Sequence, residues 1–109
     1  MTEYCVVTTS IDSADGAQAL ARAAVTVRLA ACAQVTGPVR STYWWQGAVD
    51  DATEWVVTLK TTTTRYPELE RFLRDEHPYE VAEIVATPIV AGSPAYLAWI
   101  AAETIRTTR

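Results

Sequence analysis

The spacing of apolar and polar positions changes several times along the chain, and each change predicts an element. Residues 4–10 (YCVVTTS) form a short β-branched and aromatic run that reads as a first strand. From Ala17 the period becomes helical. Ala17, Leu20, Ala21, Ala24, Val27 and Ala31 recur three or four residues apart, so one stripe of a helix faces a sheet. Asp12 or Ser13 can cap that helix by accepting from an orphan backbone N–H. Its many alanines predict close packing on the sheet. Residues 32–45 return to an extended pattern bent at Gly37-Pro38, because proline cannot donate to a ladder and belongs at an edge or a bulge. Gln46-Gly47 supplies a turn. Trp55, Val57 and Leu59 then alternate with Glu54, Thr58 and Lys60, as in a half-buried strand. The two extended segments therefore make a long hairpin.

A threonine run leads to Tyr66-Pro67, and proline suits the first turn of a helix. Leu69, Phe72 and Leu73 mark the inner face of a helix over residues 65–76, which Pro78 ends by pushing its predecessor out of the helical region. Residues 84–88 read as a fourth strand. Ser93 caps a last helix with Pro94 at its first position and Leu97, Ile100, Ala101 and Ile105 as its stripe. The order βαββαβ plus a C-terminal helix predicts one α+β domain over residues 1–109. It is a ferredoxin-like sandwich with sheet order 4-1-3-2 and both main helices on one face.

That architecture makes the aromatic residues conspicuous. Three of the four tryptophans, Trp44, Trp45 and Trp55, lie on the hairpin. Tyr43 and Trp45 point to one side of their strand and Trp44 to the other. Helices cover only one face of such a sheet, so some of these rings need another cover: long loops, the last helix or a second subunit. Exposed aromatic patches mark interfaces, which favours the subunit.

Composition narrows the partners. With 9 Lys+Arg against 13 Asp+Glu the net charge is −4, which argues against nucleic acid, because phosphate binding needs a clustered basic surface. Arg22, Arg28 and Arg40 form an acid-free stretch, but on a helix and the strand after it they point different ways and read as solvated. No apolar run approaches the roughly 20 residues that span a bilayer, so a membrane partner is not expected. Cys5 and Cys32 lack CxxC spacing and fall on a central and an edge strand, where they cannot pair. These features suggest a cytoplasmic protein.

Candidate chemistry is sparse. His77-Pro78-Tyr79-Glu80-Val81-Ala82-Glu83 gathers an imidazole, a phenol and two carboxylates, a set that suits zinc or copper. The same pattern also suits a helix-terminal histidine capping carbonyls beside solvated glutamates. His77 is the only histidine, so any catalytic dyad would have to use it. No GxSxG, phosphate-cradling glycine loop or dinucleotide fingerprint is present. Neither an enzyme nor an organic cofactor is expected.

Ala30-Ala31-Cys32-Ala33, Ser41-Thr42-Tyr43-Trp44-Trp45-Gln46-Gly47, Leu59-Lys60-Thr61, His77-Pro78-Tyr79-Glu80-Val81-Ala82-Glu83-Ile84 and Tyr96-Leu97-Ala98-Trp99-Ile100 follow one another across nearly the whole chain. Together they resemble the CutA divalent-cation tolerance family. The resemblance implies a ferredoxin-like subunit in a tight homotrimer, similar in design to PII signalling proteins, with the hairpin reaching across to neighbours. Tyr43, Trp44, Trp45 and Trp55 would form that interface. It also implies a link to copper and other divalent cations, with Cys32, His77 and Glu83 in the positions of proposed ligands. A further ligand, a first-strand cysteine in some members, falls on Thr8 rather than Cys5, and Ala82 replaces a common proline. Three functions are compatible with this: a metal-responsive protein binding Cu(II) or another divalent cation weakly; a sensor whose inter-subunit clefts, lined by Trp45, Lys60, His77 and Tyr79, take a small molecule; or a structural trimer that stabilises partners.

Overall fold

A computed structural model describes residues 3–105. The elements run β1 (Tyr4–Ile11), α1 (Ala14–Thr26), β2 (Cys32–Trp45), β3 (Ala48–Thr62), α2 (Tyr66–Glu76), β4 (Val85–Pro88) and α3 (Pro94–Glu103). The four strands form one antiparallel sheet in the order β2-β3-β1-β4. β1 and β2 are parallel to each other with β3 between them, so the α1 connection skips a strand. Among the described residues no helix is long and apolar enough to cross a membrane.

The sheet has two unlike faces. Cys5, Val7 and Ile11 of β1, with Val57 and Leu59 of β3, point into the main core. There Ala17, Leu20, Ala21 and Ala24 of α1 and Leu69 and Leu73 of α2 meet them, so both helices share one face. Residues directly opposite one another in the register lie on the same side. The other face therefore carries Val6, Thr8 and Ser10 of β1 with Lys60, Thr58 and Val56 of β3. Cys32 and Gln34 of β2 also lie there. α3 packs against β3, and the Tyr96 hydroxyl lies 3.4 Å from the Cys32 sulfur. The last helix thus covers one end of this second face. Ile100 is fully buried but lies outside the main core cluster.

The caps explain where helices start and one place where the sequence pattern misleads. Ser13 Oγ accepts from Gly16 N at 2.9 Å, and Ser93 Oγ accepts from Tyr96 N at 3.4 Å. The spacing predicts that the stripe of α1 continues through Val27 and Ala31, but the helix ends at Thr26. Arg28 takes the left-handed conformation (φ 62°). Leu29 N then donates to Ala24 O, and Arg28 N to Val25 O. This closure usually falls on glycine, so an arginine there hides the helix end from sequence. Arg22, Arg28 and Arg40 are not buried, in keeping with their reading as solvated residues. The ion pairs of Arg28 with Glu103 and of Arg40 with Asp51 lie at the surface, where such pairs add little.

The hairpin closes through Gln46 (φ 50°) and Gly47 (φ 82°), two consecutive positive values that match the twist of the strands they join. The pairing of β2 with β3 shifts between Thr36 and Val39, around Gly37-Pro38. Beyond that bulge the two strands leave the rest of the sheet and project as a ribbon, which helps give the molecule its extents of 44 × 32 × 22 Å.

Candidate functional site

The His77 block is the most organised polar region of the chain. α2 ends at Glu76, and His77 adopts an extended conformation immediately before Pro78, as the proline demands. This swings the imidazole onto the end of β1. Its Nε2 lies 2.7 Å from the carbonyl oxygen of Ser10, and its Nδ1 accepts from Tyr79 N at 3.1 Å. A carbonyl oxygen can only accept and an amide can only donate. The ring is therefore the neutral tautomer protonated at Nε2, with both nitrogens engaged. The residue is only 8% exposed. It does cap a carbonyl, but one on a strand rather than on its own helix.

Tyr79 extends the network. Its ring tilts against the imidazole, with centroids 4.7 Å apart, and its hydroxyl donates to Glu54 Oε2 at 2.7 Å. Burial, and then the bond and negative charge of Glu54, hold the Tyr79 phenol well above its ordinary range. On the other flank the Ser10 hydroxyl donates to Glu83 Oε1 at 3.5 Å. The chain Glu54–Tyr79–His77–Ser10–Glu83 thus ties the segment after α2 to β1 and to β3.

The sequence pattern does not single out Glu54 or Ser10. Glu54 reads there as one more polar position of an alternating strand, yet it is 7% exposed. Burying a carboxylate is costly without a donor, and Tyr79 supplies one from 25 residues away. A glutamate preceding Trp55 within a threonine- and valine-rich strand is the only hint the sequence holds.

The expected metal ligands do not meet within one subunit. Cys32 is level with Lys60 and, through it, with Val6, whereas His77 is bonded at Ser10. Four residues along a strand is about 13 Å, and β2 lies two strands of about 4.8 Å each from β1. Bonds to a cation are near 2 Å, so Cys32 and His77 of one subunit cannot share one. Glu83 is near Ser10 and hence near His77, but Cys32 faces Tyr96 instead. Thr8, where the resemblance to the family implies a further cysteine in some members, pairs with Val85 and Thr58. Among the described residues no group of three or more His, Cys, Asp or Glu side chains is arranged to hold a cation. The donor set of a single subunit does not fit a resident metal.

The expected cleft residues share a feature that composition does not reveal. Lys60 lies on the sheet face opposite α1 and α2, where Nζ reaches Gln34 Oε1 at 3.5 Å. Trp45 sits opposite Ala48, and Tyr43 opposite Asp50, which place both on that same face. They are strung along it, however. Ala48 and Lys60 are twelve residues apart on β3, or about 40 Å. Trp45 and Lys60 of one subunit therefore cannot enclose one ligand.

Of the hairpin aromatics, Trp55 packs against the core of its own chain. A Cβ on Gly37 would come within 2.5 Å of its ring, so only glycine admits this approach. Tyr43, Trp44 and Trp45 remain 40%, 74% and 42% exposed. α3 does not reach them, and its own Tyr96 and Trp99 form a stacked pair with centroids 5.5 Å apart.

Residues 5–103 match the family described as CutA1 divalent ion tolerance protein. The chain belongs to this family. It is 41% identical over 95 residues to the divalent-cation tolerance protein CutA of Thermus thermophilus, covering 87% of this chain and 92% of that one. It is 42% identical over 84 residues to protein CutA of Mus musculus, covering 77% of this chain but 48% of that protein. The chain therefore spans about half the length of the curated mammalian relatives it matches. Its fold matches the solved divalent cation tolerance protein from Thermus thermophilus with a TM-score of 0.90 at 40% identity, over 93% of this chain and 98% of the other. These family names describe tolerance to divalent cations and no reaction.

Proposed function

We propose that the chain acts as a homotrimer of single-domain, ferredoxin-like subunits. In this reading it serves divalent-cation tolerance by binding rather than by catalysis, through clefts that form between subunits. The observation that carries this is the projecting ribbon. Tyr43 and Trp45 on one side, and Trp44 and Val49 on the other, are exposed beyond the reach of any helix of their own chain. Removing such surface from water is worth about 25 cal/mol per Å², so an arm of this kind is stable when a neighbouring subunit covers it.

Closing the assembly also explains the scattered site residues. Trp45 at the tip of one arm can meet Lys60 of another only across a subunit boundary, while Tyr79 and the His77 loop sit at the Glu54 end of β3, about 20 Å along the strand from Lys60. Cys32 and Glu83 of different subunits are likewise free to approach one another, and Cu(II) is the divalent cation that nitrogen, oxygen and sulfur donors bind most tightly in the usual order. The unpaired Cys5 and Cys32 fit a reducing compartment such as the cytoplasm.

Native mass spectrometry of metal-free protein, before and after one equivalent of copper(II) chloride per subunit, tests this. The expected species is three chains, with copper retained only by that species. A monomer at micromolar concentration, or copper held equally by dissociated single chains, refutes it.

A further inference from the structure

The family resemblance puts His77 in a ligand position, and the geometry puts it to another use. We infer that His77 is a strut that fixes the base of the hairpin arm, and that it is not a ligand for the cation. The inference does not depend on trimer formation.

A histidine ligand needs one ring nitrogen with a free lone pair. Here the Nε2 proton is committed to Ser10 O at 2.7 Å, and the Nδ1 lone pair to Tyr79 N at 3.1 Å. In metal centres the second nitrogen commonly donates to a carbonyl, so the Ser10 bond alone would leave His77 competent. It is the Tyr79 amide that removes the remaining lone pair. Binding a cation there would leave the Tyr79 N–H without its partner in a part-buried setting, a cost comparable to losing a hydrogen bond. It would also displace the Tyr79 ring that leans on the imidazole.

What the strut holds is specific. Tyr79 carries its hydroxyl to Glu54, whose cross-strand neighbour is Val39, the first paired residue of β2 beyond the bulge. This is where the ribbon leaves the helix-covered sheet. The bonds from Ser10 through His77 and Tyr79 to Glu54 therefore tie β1 in the body to the root of the arm. Two of these groups, His77 and Glu54, are over nine-tenths buried, which solvated residues awaiting an ion would not be.

The test uses full-length protein and the metal alone. Nitrogen-15 NMR of the imidazole should give the pattern of an Nε2-protonated neutral ring, unmoved by saturating zinc chloride. Calorimetric titration with copper(II) chloride should give affinities for wild type and His77→Gln within about twofold of each other. Gln keeps a donor toward Ser10 and offers no imidazole. A saturable zinc-dependent shift of the ring nitrogens, or a tenfold loss of copper affinity in folded His77→Gln, overturns the inference. If neither protein binds copper, His77 is still no ligand, and the copper-binding part of the functional reading above is what fails.

Discussion

The inner and outer halves of the β2–β3 hairpin are built from the same two strands, yet their surroundings differ completely. In the inner half, Val57 and Leu59 are fully buried beneath α1 and α2, and β1 flanks β3 on its other edge. In the outer half, Trp44 is 74% exposed and Val49 57%, and β3 pairs with β2 alone. The outer half mixes Tyr43, Trp44, Trp45 and Val49 with Arg40, Asp50 and Asp51, whereas the inner half turns Val57 and Leu59 into the core. A two-stranded ribbon is marginal in water on its own, so under the trimer proposal a neighbouring subunit would supply stability to the outer half. Apolar residues along a strand thus do not by themselves say whether a surface is covered, or by what.

The sharpest test removes core contacts from the inner half. Leu59→Ala should cost about 2–5 kcal/mol, read as a lower denaturant midpoint with the slope unchanged. Because α1 and α2 fill this region within one chain, the loss should not vary with protein concentration. A strong concentration dependence would mean that the inner half, too, is completed by a neighbour.

The outer half should behave in the opposite way. Trp45→Ala should weaken association by about 2 kcal/mol or more, the range of a buried aromatic anchor. The unfolding temperature should fall with it and become steeply dependent on concentration, since assembly and folding are linked. Light scattering and thermal unfolding across a dilution series measure the two effects. An unaltered oligomer with an unaltered melting point would leave the ribbon as a free arm.

The smallest effect belongs to the junction. Burial, then Glu54, raise the Tyr79 phenol in the folded state above its ordinary value near 10. The unfolded chain therefore releases this proton first as pH rises. Stability present below about pH 10 is lost above it, where the folded state still holds the proton. The phenols of Tyr66 and Tyr96 and the Cys5 thiol are raised as well and add losses of the same sign. Tyr79→Phe should make alkaline destabilisation shallower by at most one proton in chemical denaturation between about pH 9 and 11. An identical slope in the variant would show that burial and Glu54 do not raise the Tyr79 phenol in solution.

The elements of this chain were legible because they depend on neighbours in sequence. Period-2 alternation at residues 55–59, helical spacing at Ala17 to Ala24, prolines at 67 and 94 and a cap at Ser13 act within a few residues. The strand order followed from the βαββαβ sequence of elements, read as a split-βαβ pattern. What only the tertiary structure decided lies at longer range. The left-handed Arg28 that ends α1 carries no glycine to announce it. Glu54 looks like any strand glutamate until Tyr79 reaches it across 25 residues. His77, Glu83 and Cys32 look equally suited to a cation as residue types. The register sets Cys32 apart, and the Tyr79 amide occupies the imidazole. A side chain's chemical identity is written in the sequence, but whether its lone pair is free depends on which distant backbone group the fold brings to it.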